Sequence, residues 1–341
     1  MIRRITIADL VALGDSVPLA DVRTPAEFDQ GHIPGAFNLP LFSNEERVAV
    51  GTTYKQQSRE AAILLGFDLT GPKWAGFIRT ALDKAPDKKI AVHCWRGGMR
   101  SGAMAWALDL YGFQVYLVEG GYKRYRRWVF DQFERGWPLV VLGGMTGSGK
   151  TLILHELERK GEQVIDLEDL AQHRGSTYGT LNRLVQPTQE QFENNLAARL
   201  QGLDRESRIW VEDESLTIGR RMIPRTFWQT MYTSGLFEVR PPLEARVRSL
   251  ADTYGTLDRD FLVESTERIR KRLGSEKTKR AVAAIREGRM TDFVREVLTY
   301  YDKTYRSALN DRTTVVVVTV SDVDAPKNTL AVLKATQPEY G

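Results

Sequence analysis

Ile90-Ala91-Val92-His93-Cys94-Trp95-Arg96-Gly97-Gly98-Met99-Arg100-Ser101 ends an apolar strand in the only cysteine of the chain and runs on into a glycine-rich turn. A lone cysteine is by default a small buried hydrophobe. Here two glycines, two arginines and a helix-compatible run over 101–110 follow it. That order predicts a thiolate at a helix N-terminus, where unpaired backbone N–H groups, the helix dipole and nearby guanidinium groups lower its pKa and bind an anion.

Working outward, residues 1–135 read as one α/β unit. Residues 18–22 are an apolar strand, and Thr24-Pro25 opens a short helix with Thr24 as N-cap and Pro25 at the first helical position. Gly31-His32-Ile33-Pro34-Gly35-Ala36 is a turn, and helical stretches over 44–65 and 74–84 precede the strand that delivers Cys94. Residues 115–118 form a further strand, closed by Glu119-Gly120-Gly121 and a basic, aromatic helix over 122–133.

The 341 residues are long for one core and predict two domains. No apolar run approaches the roughly 20 residues of a membrane helix, and Met1-Ile2-Arg3-Arg4 does not lead into a signal-peptide core, so a cytoplasmic protein without a membrane partner is expected. One cysteine excludes an intramolecular disulfide framework and a Cys-rich zinc site, and the four histidines are scattered. No dedicated protein metal site and no tightly bound cofactor are therefore expected. A net charge of +4 permits a polyanionic partner without requiring one. The sequence does not set the oligomeric state, and a monomer satisfies it.

The second domain spans 136–341. Leu139-Val140-Val141-Leu142 reads as a strand buried in a parallel sheet and runs directly into Gly143-Gly144-Met145-Thr146-Gly147-Ser148-Gly149-Lys150-Thr151. Residues 144–151 fit G-x-x-x-x-G-K-[ST] between a strand and a helix, the context this phosphate loop requires. Gly144, Gly147, Ser148 and Gly149 would fold the backbone into a nest of N–H groups, Lys150 adds a point charge, and Thr151 can ligate Mg²⁺. Arg208-Ile209-Trp210-Val211-Glu212-Asp213-Glu214-Ser215 resembles the strand that carries the magnesium-side acid in P-loop proteins, with Asp213 or Glu212 as that carboxylate. A mainly helical, basic insertion is expected at about 242–310, and a final strand at 313–320 returns to the sheet.

His93-Cys94-x-x-Gly97-x-x-Arg100-Ser101 matches the signature of protein tyrosine phosphatases and would equally serve a rhodanese. Asp21 to Phe28, with Gly31 to Ala36, resembles the first rhodanese signature, and Glu119-Gly120-Gly121-Tyr122 resembles that family's closing glycine pair. Five residues, Trp95 to Met99, separate Cys94 from Arg100, where a rhodanese has four. The longer loop suits a tetrahedral phosphorus group better than bare sulfur.

A rhodanese-like domain fused to this P-loop resembles the bacterial tRNA 2-selenouridine synthase family. The resemblance includes residues 44–47 and 51–56, Leu167-Glu168-Asp169-Leu170-Ala171 with His173-Arg174-Gly175-Ser176, and Trp210 to Ser215. It implies a three-layer α/β rhodanese-like domain followed by a P-loop NTPase-like, kinase-like parallel-sheet domain with a helical insertion. It also implies a transferase that converts 2-thiouridine at the wobble position of tRNA to 2-selenouridine, by S-geranylation from geranyl diphosphate and then displacement of the geranylthio group by selenium from selenophosphate. On this resemblance Cys94 accepts selenium as a selenylsulfide, while Arg96, Arg100, Gly97, Gly98 and Ser101 hold the donor anion. The loop from Gly144 to Thr151 would hold the prenyl diphosphate, with Mg²⁺ beside Thr151 and Asp213 or Glu212.

The tRNA substrate gives the basic run over 268–289 a reading as a phosphate-tracking face, with Arg268, Lys271, Arg272, Lys277, Lys279 and Arg280 at its centre, against the alternative of a solvated helical surface. Phe227, Trp228, Met231, Tyr232 and Phe237 read as core before they read as a prenyl pocket. Two rivals stay open: a Cys-dependent phosphatase or sulfurtransferase coupled to a P-loop kinase or ATPase, and a non-enzymatic, nucleotide-switched binding module.

Overall fold

A computed structural model of the chain describes residues 1–173, 185–309, 312 and 314–337, without the side chains of 306–309. It divides into two compact units, Met1–Gln132 with Thr188–Ala198, and Phe133–Pro187 with Arg199–Gly341.

In the first unit, β1 (Ile2–Ile5), β2 (Leu19–Asp21), β3 (Phe37–Asn38), β4 (Lys89–His93) and β5 (Gln114–Val118) form a sheet in the order β1-β5-β4-β2-β3. Every pairing is parallel. Crossovers are therefore required, and they are α1 (Ile7–Leu13), α2 (Pro25–Gln30), a helical stretch of α3 (Asn44–Gln56), α4 (Arg59–Thr70) and α5 (Trp74–Lys84), then α6 (Met99–Leu110); α7 (Gly121–Phe133) follows the last strand. Thr6, Thr24 and Ser43 each close a capping box with the acid three residues on, which fixes where α1, α2 and α3 begin. Ile90 and Val92 of β4 join Met104 and Leu108 of α6 and Phe77 and Ala81 of α5 in the core. The strand that ends at Cys94 is central in the sheet and anchored by its apolar residues.

The second unit carries β6 (Leu139–Gly143), β7 (Gln163–Ile165), β8 (Ile209–Glu212), the short antiparallel pair β9 (Thr217–Ile218) and β10 (Arg221–Met222), then β11 (Leu236–Arg240) and β12 (Val315–Thr319). The parallel sheet has the order β12-β11-β6-β8-β7. Helix α8 (Lys150–Arg159) follows β6, α9 (Leu167–Leu170) follows β7, and α10 (Gln189–Gln201) precedes β8. Helix α11 (Arg225–Thr233) leads to β11. The expected insertion is five helices, α12 (Leu243–Gly255), α13 (Arg259–Arg268), α14 (Arg270–Leu273), α15 (Ser275–Glu287) and α16 (Met290–Leu309), with their own core around Leu262, Ile285, Phe293 and Val297. The final strand pairs with β11 as expected, and α17 (Ala325–Ala335) ends the described chain.

One segment departs from a simple cut at 135/136. Thr188–Ala198 clusters with the first unit. Asn194 donates to Tyr122 Oη at 2.8 Å and to the His32 carbonyl at 2.9 Å, Tyr122 donates to Glu190 at 2.7 Å, and Arg126 pairs with Glu193. These bonds link residues far apart in sequence, and local periodicity carries no sign of them.

Candidate active sites: a thiolate cradle and a phosphate loop

Cys94 follows the last residue of β4, and α6 begins at Met99 with Gly98 as its N-cap, so the turn is Cys94–Gly98 and the helix starts one residue before Arg100. Gly121 permits the fold of this turn: its φ is +54°, and a Cβ there would stand 2.2 Å from the Cys94 carbonyl oxygen. The first turn of α7 closes over the loop, with Tyr122 N donating to Cys94 O at 2.8 Å and Lys123 N to Trp95 O at 2.9 Å. Burial pushes the Cys94 thiol up. The Ser101 hydroxyl 3.2 Å from Sγ, the backbone N–H groups of Ser101 and Arg96, and the Arg100 charge outweigh it, and the thiol titrates below its ordinary range. This is the environment of a reactive rather than a structural cysteine.

Of the predicted anion ligands, Arg96 is exposed and makes no ion pair among the described residues, whereas Arg100 is already held by Glu27 at 2.6 and 3.2 Å. Glu27 is also the capping-box acid of α2, so the rhodanese-like signature around β2 positions the second arginine of the loop. Burial acts to raise the Glu27 carboxyl, and the Arg100 bonds and charge hold it below the usual range. Below the loop, buried Arg23 makes a fork to Asp21 and lies 3.7 Å over the Tyr122 ring. His93 Nε2 sits 3.6 Å from Asp21 without a hydrogen-bond partner, and burial keeps His93 neutral by pulling its pKa down.

The P-loop runs from the end of β6 to Lys150, the first residue of α8. Gly144 has φ +153°, and a Cβ there would meet Ser148 Oγ at 2.5 Å and the Val239 carbonyl at 2.8 Å, so the loop closes only with glycine. Lys150 Nζ donates to Gly144 O at 2.9 Å, placing its charge across the mouth of the loop. Ser148 Oγ is buried with no hydrogen-bond partner among the described residues.

Glu212 ends β8, and its carboxylate converges with those of Glu168 and Glu214, one oxygen of each lying within 4.8 Å of the others. Burial and the neighbouring carboxylates push Glu212 well above the ordinary range and Glu214 to about 8, against the pull of Lys150. Glu212 Oε1 is buried without a partner among the described residues, and Thr151 Oγ1 lies 3.5 Å from Glu168. Of the two predicted metal-side acids, Glu212 is the one that lies in this cluster. Asp213 instead pairs with Arg312, whose other nitrogen donates to the carbonyls of Met231 and Tyr232. Strand alternation separates the two, because Asp213 lies one residue beyond Glu212 and faces another way. One oxygen of each of these three carboxylates lies close enough to the others to meet a single hard cation. Glu168 and Glu214 were not singled out in the sequence; the i, i+2 spacing of Glu212 and Glu214 was the available signal.

Three of the six cations of the predicted tRNA face are ion-paired: Arg268 with Glu264, Lys279 with Glu276 and Arg280 with Glu296, while Arg272 donates to Tyr300 Oη and Lys277 to Thr299. Lys271 has no ion pair among the described residues. On α7, by contrast, Lys123, Arg124 and Arg127 are exposed and have no ion-pair partner among the described residues. Phe227 and Met231 are core residues, and Trp228 stacks on Tyr232 at 5.0 Å. Of the family strings, Arg174, Gly175 and Ser176 lie outside the described residues. Among the described residues no helix is long and apolar enough to cross a membrane.

Family models match both units. A rhodanese-like domain matches residues 6–127, and the AAA domain of tRNA 2-selenouridine synthase matches residues 137–334. The chain is 40% identical over 266 residues to the tRNA 2-selenouridine synthase of Nitrosomonas europaea, a match covering 73% of this chain and 67% of that protein. It is 38% identical over 289 residues to that of Shewanella woodyi, 76% of each chain, and 40% identical over 255 residues to that of Bdellovibrio bacteriovorus, 70% and 65% respectively. With a thiolate cradle on one sheet and a phosphate loop on the other, the chain belongs to the tRNA 2-selenouridine synthase family.

Proposed function

We propose that this enzyme replaces the sulfur of 2-thiouridine at the wobble position of tRNA with selenium, using its two sites in turn. First the thiouridine sulfur is geranylated by geranyl diphosphate at the phosphate loop. Then the Cys94 thiolate attacks the phosphorus of selenophosphate and breaks the P–Se bond; the selenide released attacks C2, the geranylthiolate leaves, and water frees phosphate from Cys94. Alkylation makes the second step feasible, since a thiocarbonyl sulfur is a poor leaving group and an alkylthiolate a good one.

The observation that carries this reading is the pairing, in one chain, of a cysteine with a lowered pKa in an anion cradle and a P-loop edged by three carboxylates. Carrying selenium needs only the first. Gly144, Gly147, Ser148, Gly149 and Lys150 suit a diphosphate, and Arg96, the Gly97 and Gly98 amides and Arg100 suit selenophosphate. Thr151, Glu168, Glu212 and Glu214 would hold Mg²⁺, and the unpartnered Glu212 oxygen with its crowded carboxylate neighbours fits a cation. When bound, Mg²⁺ supplies charge neutralisation for the leaving diphosphate.

The test is reconstitution with tRNA carrying 2-thiouridine, followed by nucleoside mass spectrometry. Geranyl diphosphate and Mg²⁺ should yield S-geranyl-2-thiouridine, and added selenophosphate should convert it to 2-selenouridine. Selenouridine formed without geranyl diphosphate would overturn the two-step reading.

A further inference from the structure

A cavity of about 450 Å³ opens in the second unit beside Thr151. Its volume lies in the range of small-molecule sites, and among the described residues nine of its eleven lining side chains carry hydrogen-bonding groups, Val164 and Leu170 being the aliphatic ones. Apolar surface interspersed with that many hydrogen-bonding groups suits a nucleobase with its ribose. Thr151 belongs both to the phosphate loop and to this lining, and His155 lies one helical turn further along α8 on the same face. His155 Nε2 is 2.9 Å from Asp166 Oδ2. Asp166 is itself fixed, because its other oxygen accepts the Asp169 N–H at 2.8 Å as the N-cap of α9.

We infer that this cavity receives the thiouracil nucleoside to be alkylated and that His155, oriented by Asp166, is the general base of the alkylation. The inference rests on the proposed geranylation and deepens it. As the thiouracil sulfur attacks the allylic C1 of the prenyl donor, the S–C bond forms and the C–O bond to diphosphate breaks, its electron pair leaving on the diphosphate. The ring must lose its N3 proton at the same time, because the S-alkylated product has a C2=N3 double bond and no hydrogen on N3. Asp166 holds the tautomer with the proton on Nε2 and leaves the Nδ1 lone pair to take the N3 proton. Nδ1 of His155 makes no hydrogen bond among the described residues. The charged groups facing His155 across the cavity are Glu158 on its own helix, Asp166, Glu168 and Asp169 at the end of β7 and in α9, His173 beyond α9, and Arg199 of α10. Arg199 is tied to Glu158 at 2.6 Å and to the Val164 carbonyl, so its charge is spent within the wall.

The experiment measures the geranylation rate against pH for the full-length protein with tRNA carrying 2-thiouridine. His155→Gln should lower kcat at neutral pH by about 10²-fold with little change in the KM for tRNA. The deficit should close as pH rises, since an alkaline thiouracil arrives already ionised and needs no base. Asp166→Asn keeps the helix cap but loses the orienting carboxylate, and should show the same pH-dependent deficit to a smaller degree. Leu170→Trp, which fills the cavity, should abolish binding of an anticodon stem-loop carrying 2-thiouridine. A His155→Gln enzyme with the wild-type pH profile, or one slowed equally at every pH, would remove the base; undiminished stem-loop binding by Leu170→Trp would remove the cavity. Wild-type protein that does not geranylate at all defeats the parent reading instead, and this one with it.

Discussion

The Cys94 turn and the P-loop are built alike and charged oppositely. Each joins a buried parallel strand to a helix through glycines, β4 to α6 and β6 to α8. Their neighbours differ. Around Cys94 the adjacent strand ends deliver a carboxylate, Glu27, that is already matched to Arg100, so the cradle keeps an excess of cations and the thiol is stabilised as its anion. Around the P-loop they deliver Glu168, Glu212 and Glu214 close to Lys150, and Glu212 and Glu214 are pushed toward their protonated forms. On the proposed function the first site would accept its anion directly, and the second would accept an anion together with a cation, as a diphosphate requires.

If that contrast is right, the two halves of the reaction should separate by mutation. Cys94→Ala should give the largest effect: selenouridine formation lost, with the geranylated nucleoside accumulating in mass spectra. Normal selenouridine formation in that variant would remove Cys94 from the chemistry. Lys150→Ala should do the reverse, slowing geranylation by about 10²-fold or more while leaving the conversion of pre-geranylated tRNA intact. Equal losses in both steps would mean that the sites are not divided as argued.

The cation requirement breaks the comparison more finely. Glu212→Gln removes one of three crowded charges. Its thermal midpoint without Mg²⁺ should equal or exceed that of the wild type, because a buried, unpartnered carboxylate costs stability, whereas the rise in midpoint on adding Mg²⁺ should shrink. Asp213→Asn should leave that Mg²⁺ response unchanged, since Asp213 serves Arg312. A loss of response in Asp213→Asn with none in Glu212→Gln would return the metal-side role to Asp213.

Both loops, their strands and the helical insertion were legible because each is local: apolar runs, glycine spacing and caps lie within a dozen residues of one another. Most of what stayed hidden is nonlocal. Glu168 reaches Glu212 across a gap of 44 residues, and Asp213 is taken up by Arg312 from 99 residues away. Residues 188–198 join the first unit through Asn194, Glu190 and Glu193, polar groups that any exposed helix might carry. Charge density in the 268–289 run was readable, as were its local pairs Arg268–Glu264 and Lys279–Glu276, but the pairing of Arg280 with Glu296 depends on the packing of α15 on α16. Lys123, Arg124 and Arg127, exposed and without an ion-pair partner among the described residues, were visible in the same way.

The smallest expected effect concerns the means by which the first site holds its anion. Ser101 Oγ lies 3.2 Å from Cys94 Sγ and 3.2 Å from the Gly98 carbonyl, so a thiolate competes with that carbonyl for one hydroxyl proton. In Ser101→Ala the backbone N–H groups of residue 101 and Arg96 and the Arg100 charge remain, but the largest of the lowering influences is gone. The thiol pKa should therefore rise, the thiolate fraction at neutral pH should fall, and iodoacetamide should alkylate Cys94 several-fold more slowly near pH 7. The variant and wild type should converge at alkaline pH, where both thiols are ionised. Because Cys94 is the only cysteine, a mass shift on the intact chain reads the reaction without a competing site. A rate unchanged across the pH range would show that the backbone cradle and Arg100 alone hold the thiolate, making the first site a closer copy of the P-loop than its side chains suggest.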